Sequence, residues 1–237
     1  MFEGLYSWSA VAPALVVLAT ALVVMMTDLF VEPGNRIVPW LTIAGLFAGL
    51  IVSISMWGTE EVAFSGAWKI GAFSIYFYCI FIVAAIVTIL FSMTHEERRG
   101  RFPGEYWSLI TFSVVGMMVM ASAADLITLI IGLETMSLCA YVLVGLNRGD
   151  QRSSEGALKY FLLGAFASAF LLYGTAFMYG SMLTTRFSEI AVFVSTHSNA
   201  IPFNLQVGAI LLLVGLGFKV AAVPFHMWAP DAYQAAP

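Results

Sequence analysis

An all-α, polytopic bundle of transmembrane helices is the fold this sequence predicts, and three observations predict it. The 237 residues are 61% hydrophobic and only 10% charged, whereas soluble domains carry about 25% charged residues. Mean hydropathy is +0.92. The apolar residues also fall in blocks of about 20, the length a helix needs to cross a hydrocarbon core of about 30 Å. A soluble core would instead show short amphipathic segments.

Seven spans follow in chain order, over 13–30, 37–57, 71–93, 106–123, 126–146, 157–182 and 205–228. Most are flanked by Trp or Tyr, including Trp8, Trp40, Trp57, Tyr106, Trp107 and Trp228; such amphipathic rings prefer the headgroup level. The first connection, 31–36, holds a Pro-Gly-Asn turn, and the third, 94–105, holds His95, Glu96, Glu97, Arg98, Arg99 and Arg101. The fifth, 147–156, holds Arg148, Asp150, Arg152 and Glu155. The two longer connections are 58–70 and 184–204, and the run from Glu189 to Val194 in the second suits a short interfacial helix. Asp125 is placed to cap the fifth helix, and Asp28 and Glu32 read as span-end charges.

Positive charge sets orientation. With the N-terminus outside, the cytoplasmic connections hold six basic residues (Arg36, Arg98, Arg99, Arg101, Arg148, Arg152) and the outer ones two, Lys69 and Arg186. The N-terminus Met1-Phe2-Glu3 lacks a basic signal-peptide region, so the first span is expected to be retained. Cys79 and Cys139 lie inside apolar spans and read as small buried hydrophobes rather than a disulfide. No basic stripe points to nucleic acid. There is no CxxC cluster, no Rossmann glycine fingerprint and no paired span histidines suited to haem, which argues against an independent redox enzyme.

The informative residues are the charges within spans, each costing about 2.5–3.5 kcal/mol at the bilayer centre on insertion scales. Glu134 lies near the middle of the fifth span and Lys219 deep within the seventh. Each has a bland reading: a hydrogen-bonded structural carboxylate for Glu134, snorkelling for Lys219. As a pair they point to proton chemistry. Desolvation favours the neutral form of a buried lysine, and a carboxylate about 4 Å away contributes about 4 kcal/mol in the other direction at an effective dielectric near 20. Moving the carboxylate would then switch the lysine between holding and releasing a proton. Lys159 opens the sixth span, where snorkelling competes evenly with function, and His226, which closes the seventh, suits proton relay but as a lone residue also suits a satisfied interfacial histidine. Gly215, Gly217, Pro224 and Pro230 bracket Lys219 and His226, so the seventh helix is expected to break near 219–224. Broken helices at membrane depth line protein-buried or wet cavities; a simple proline kink is the alternative. Gly164, Ala165, Ala167, Ser168, Ala169 and Gly174 in the sixth span read as close helix packing.

Three stretches carry a resemblance: 157–174, 132–145 and 217–237, the last reading Gly-Phe-Lys-Val-Ala-Ala-Val-Pro-Phe-His-Met-Trp-Ala-Pro-Asp-Ala-Tyr-Gln-Ala-Ala-Pro. They are similar to the subunit N family of respiratory complex I, an NADH–quinone oxidoreductase. The wider antiporter-like superfamily, including Mrp cation/proton antiporters and membrane-bound hydrogenases, shares the glutamate and the lysine-bearing broken helix but resembles the sixth-span text less.

The resemblance implies a fold of about fourteen helices with two inverted five-helix repeats. It implies that Glu134 and Lys219 are the proton-pathway pair and gives Lys159 and His226 roles in the same path. It implies no redox cofactor or metal in this chain, with flavin, iron–sulfur clusters and quinone in other subunits. It implies as partners the lipid bilayer and the other membrane-arm subunits, in a bacterial inner membrane or an equivalent energy-conserving one; the charge bias then puts the N-terminus on the periplasmic side. On this reading 1–105 holds helices one to three and 106–237 the first antiporter-like repeat, incomplete at its end. The family continues with a helix-eight lysine and a second repeat, so the chain corresponds to its N-terminal half, the inlet half of a pathway. The function expected is proton translocation driven by redox chemistry elsewhere. An Mrp-type antiporter subunit and a non-conducting bracing or assembly subunit of the membrane arm stand as alternatives.

Overall fold

The computed structural model describes residues 7–32, 35–99, 104–147, 149–197 and 201–237. The basic residues Arg101 and Arg148, the turn at 33–34 and the first six residues lie outside these, as do the side chains of 95–99, so most of the charge bias read from the connections falls beyond description. Helices dominate: α1 (Trp8–Asp28), α2 (Ile37–Ser55), α3 (Ala72–Arg99), α4 (Glu105–Ser122), α5 (Leu126–Val144), α6 (Gln151–Met182), α7 (Phe187–Thr196), α8 (Phe203–Lys219) and α9 (Ala229–Ala235). Among the described residues, α1 to α6 contain six stretches long and apolar enough to cross a membrane. The seventh expected span is α8, 17 residues long and stopping at Lys219, followed by a non-helical stretch and the short α9. The connection at 58–70, expected as a loop, contains an antiparallel hairpin of β1 (Glu61–Ala63) and β2 (Trp68–Ile70).

The chain forms two compact units. The first comprises 1–123 with 131–139. Its core holds Val17, Ala21, Leu46, Ile75, Tyr78, Ile82 and Met118, all fully buried. Buried hydroxyls are satisfied within the bundle: Thr42 and Ser53 donate to carbonyls one turn back, and Tyr78 is hydrogen-bonded to Ser122. Trp68 Nε1 donates to the Ala10 carbonyl at 3.1 Å, seating β2 against α1. Gly116 on α4 lets the backbone of α5 come close. A Cβ there would lie 2.5 Å from the Met136 nitrogen and 2.7 Å from the Gly132 oxygen, contacts no side chain tolerates.

The second unit comprises 124–130 with 140–237. α6 and α8 cross at small residues: a Cβ on Gly174 would meet the Gly208 carbonyl at 2.8 Å, and one on Gly215 the Ala167 carbonyl at 2.9 Å. The small residues of the sixth span therefore pack, as expected. Asp125 caps α5 by accepting from the Thr128 N–H at 2.8 Å and its hydroxyl at 3.0 Å. Backbone bonds from Leu126 to Thr185 and from Phe187 to Ala124 tie the starts of α5 and α7 together. Cys79 and Cys139 are free thiols. Large apolar side chains such as Phe166, Leu172, Leu213 and Val220 remain on outer surfaces.

Candidate functional site

The helix break after Lys219 organises the candidate site. α8 ends because the chain turns sharply: Ala221 adopts φ +51°, a left-handed conformation unfavourable for a residue with a Cβ, and Pro224 follows without a backbone donor. Ala221 N–H donates to the Phe218 carbonyl at 3.0 Å and Ala222 N–H to that of Gly217 at 2.8 Å. Trp228 Nε1 donates to the same Phe218 carbonyl at 3.0 Å, 10 residues ahead in the chain. The Gly217 and Phe218 carbonyls thus find partners although the helix stops. The Val223–Pro224 bond is cis.

Lys219 is half-buried at the C-terminus of α8, the end where a helix dipole favours a cation. Its Nζ donates to Tyr141 Oη at 3.3 Å and stands 5.8 Å from the centroid of the same ring, within cation–π reach. Tyr141 belongs to α5 and is 5% exposed. Its ring meets Tyr160 edge-on at 4.5 Å and Phe161 at 5.8 Å. Tyr160 stacks on Trp228 at 4.3 Å, and Trp228 leans on Phe218 at 5.3 Å. An aromatic series thus surrounds the break.

Lys159 has a different setting. Its Nζ lies 2.7 Å from Glu155 Oε1 and 3.0 Å from Asp231 Oδ2, with nearly half its side chain exposed. These groups border an open polar cavity of about 360 Å³ that Arg152 and Gln234 also line. Gly156 lets α9 approach: a Cβ there would lie 2.3 Å from the Ala235 Cβ and 2.9 Å from the Asp231 carbonyl oxygen. An apolar cavity of about 310 Å³ lies on another side of the break, bordered by Phe166, Phe170, Phe218, Phe225 and Met227. His226 is exposed within the break. Glu134 is half-buried on α5, two residues after Gly132, in the part of that helix belonging to the first unit.

Of the four residues singled out from the sequence, Lys159, Lys219 and His226 belong to the second unit and Glu134 to the first. Tyr141, which accepts from Lys219 and meets the Tyr160 ring, stands out only in the folded chain. Glu155 had a readable signal, its position four residues before Lys159. Asp231 sat in plain sight in the final motif, but no periodicity connects it to Lys159, 72 residues earlier.

Residues 123–237 match the family described as NADH:quinone oxidoreductase/Mrp antiporter, transmembrane. NADH-quinone oxidoreductase subunit N of Trichlorobacter lovleyi is 39% identical over 230 residues, covering 97% of this chain and 47% of that protein. A chain of respiratory complex I from Thermus thermophilus superposes with a TM-score of 0.78 at 30% identity, over 95% of this chain and 48% of its own length. A chain of an archaeal membrane-bound sulfane sulfur reductase shares the fold, with a TM-score of 0.83 at 24% identity over 96% of this chain and 48% of its own. The chain spans about half the length of the curated relatives it matches. Six helices among the described residues, long and apolar enough to cross a membrane, and the match of 123–237 to a transmembrane family make it an integral membrane protein.

Proposed function

We propose, from the premise that the chain belongs to the NADH:quinone oxidoreductase/Mrp antiporter transmembrane family, that it is a proton-translocating membrane-arm subunit of an NADH–quinone oxidoreductase. The observation that carries this reading is an apolar helix stopping at a lysine: α8 ends at Lys219, and the chain breaks immediately beyond it. A lysine there is costly, and a broken helix leaves room for its ammonium to change partners. Protons enter from the cytoplasmic or matrix side and reach Lys219, with Lys159 and His226 on the path and Glu134 as the gate. Redox chemistry at flavin, iron–sulfur clusters and quinone in other subunits drives the gate, and this chain carries no cofactor of its own. Its partners are the other membrane-arm subunits and the lipid of a bacterial inner membrane or an equivalent one, with the N-terminus periplasmic. Residues 106–237 form the first antiporter-like repeat, preceded by three helices in 1–105.

The family description also names Mrp antiporters, so exchange of sodium or potassium for protons is the second reading. The deciding experiment is Lys219→Met in the assembled complex, with NADH-driven proton uptake into vesicles, electron-transfer rate and assembly level measured together. Loss of pumping or coupled turnover at normal assembly supports the translocation reading. Normal pumping and turnover would overturn it in favour of a bracing subunit. Proton movement driven by an imposed sodium gradient rather than by NADH would favour the antiporter.

A further inference from the structure

A tyrosine in an apolar core normally buries its ring and finds a partner for its hydroxyl. Tyr141 does both, and its hydroxyl accepts from the one lysine that stands at the helix break. We infer that Tyr141 is a positioning residue that seats the Lys219 ammonium, and that Gly164 holds the seat open. The inference rests on the proton-translocation reading of Lys219.

Three features of the geometry carry it. The seat is rigid: the Tyr141 ring is 5% exposed and is flanked by Tyr160 and Phe161 in edge-to-face contacts. It is also made to measure. A Cβ on Gly164 would lie 2.0 Å from Tyr141 Oη and 2.6 Å from Cζ, so any larger residue at 164 displaces the hydroxyl itself. And it offers the ammonium an oxygen lone pair at 3.3 Å, at the end of a ring whose centroid is 5.8 Å away. Lys219, by contrast, is attached to a stretch whose backbone is already strained at Ala221. When the break shifts, the lysine moves and the tyrosine stays. The tyrosine hydroxyl therefore defines one end of the lysine's travel. The small residues of α6 accordingly do two jobs: Gly174 lets α8 pack, and Gly164 makes room for a functional ring.

The test uses the assembled complex in membrane vesicles. Tyr141→Phe keeps the ring and removes the hydroxyl. Gly164→Ala keeps the hydroxyl and displaces it. Both are expected to lower protons taken up per NADH oxidised by about tenfold or more, the loss of a hydrogen bond to a charged group, at unchanged assembly. The readout that separates positioning from packing is a cycle with Lys219→Arg, which retains a donor of different reach. Tyr141→Phe is expected to cost clearly less in that background than in the natural chain. Equal cost in both backgrounds, or normal pumping in both single variants while Lys219→Met abolishes it, overturns the seat and leaves the proton-translocation reading intact. Normal pumping by Lys219→Met overturns both.

Discussion

Lys159 and Lys219 are single positive charges on apolar helices of the same unit, and their surroundings are opposite. Lys159 sits between two carboxylates beside an open polar cavity, with nearly half its side chain exposed. Lys219 sits against a buried tyrosine at the end of a broken helix, within a series of aromatic rings. Where water can reach, it replaces lost partners, and exposed ion pairs contribute only about 0–1 kcal/mol. Where a half-buried charge rests on a buried side chain, solvent replaces a missing group less completely. The exposed lysine between two carboxylates is thus the more forgiving of change, and the half-buried lysine on the Tyr141 hydroxyl is the less forgiving.

The largest effect expected from this contrast comes from Trp228. It stacks on Tyr160, donates to the Phe218 carbonyl and is 8% exposed. Trp228→Ala is expected to cost about 3 kcal/mol, read as a lower thermal-denaturation midpoint of the solubilised complex. An unchanged midpoint would mean that the aromatic series does not hold the break, and the comparison would collapse. A smaller effect is expected at the other lysine. Asp231→Asn removes one of two carboxylates from Lys159 and should change stability only slightly, because the pair is open to solvent. It should also reduce the sensitivity of that stability to added salt, since exposed charges are screened at high ionic strength. A loss as large as that of Trp228→Ala would show that the pair is not solvent-compensated.

The smallest effect sharpens the contrast from outside both sites. Glu61, on the hairpin, accepts from the hydroxyls of Ser7 at 2.6 Å and Ser9 at 2.5 Å. These bonds hold its carboxyl below the ordinary carboxylate value, against a slight opposing effect of burial. A lowered folded-state value means that the stabilisation is present above the unfolded value and is lost as pH falls through the folded one. Thermal stability should therefore decline slightly between about pH 5 and pH 3, and less so in Glu61→Gln. Equal acid sensitivity in the two proteins would exclude Glu61 as its source.

Much of this architecture was legible in the sequence, because a bilayer imposes a length and a composition on each span. The helices, the cap at Asp125, the short helix containing Glu189 and the break beyond Lys219 all follow from apolar runs, a side-chain acceptor and proline placement. The hairpin at Glu61–Ile70 was not legible: three-residue strands leave too little alternation to distinguish from a loop. Nor was Tyr141. One tyrosine among nine in an apolar helix carries no signal until the ring packed beside Gly164 is located.

The sequence by itself determined that this is a membrane-embedded helical chain with costly charges at Glu134 and Lys219, because hydrophobic length and intramembrane charge are local quantities readable residue by residue. Only the tertiary structure decided what surrounds each lysine. Asp231 reaches Lys159 across 72 residues and Tyr141 reaches Lys219 across 78, and both meetings depend on glycines, at 156 and 164, whose missing side chains let a helix or a ring come close. A glycine has no such meaning in a linear sequence; it acquires one when another part of the chain occupies the space it leaves.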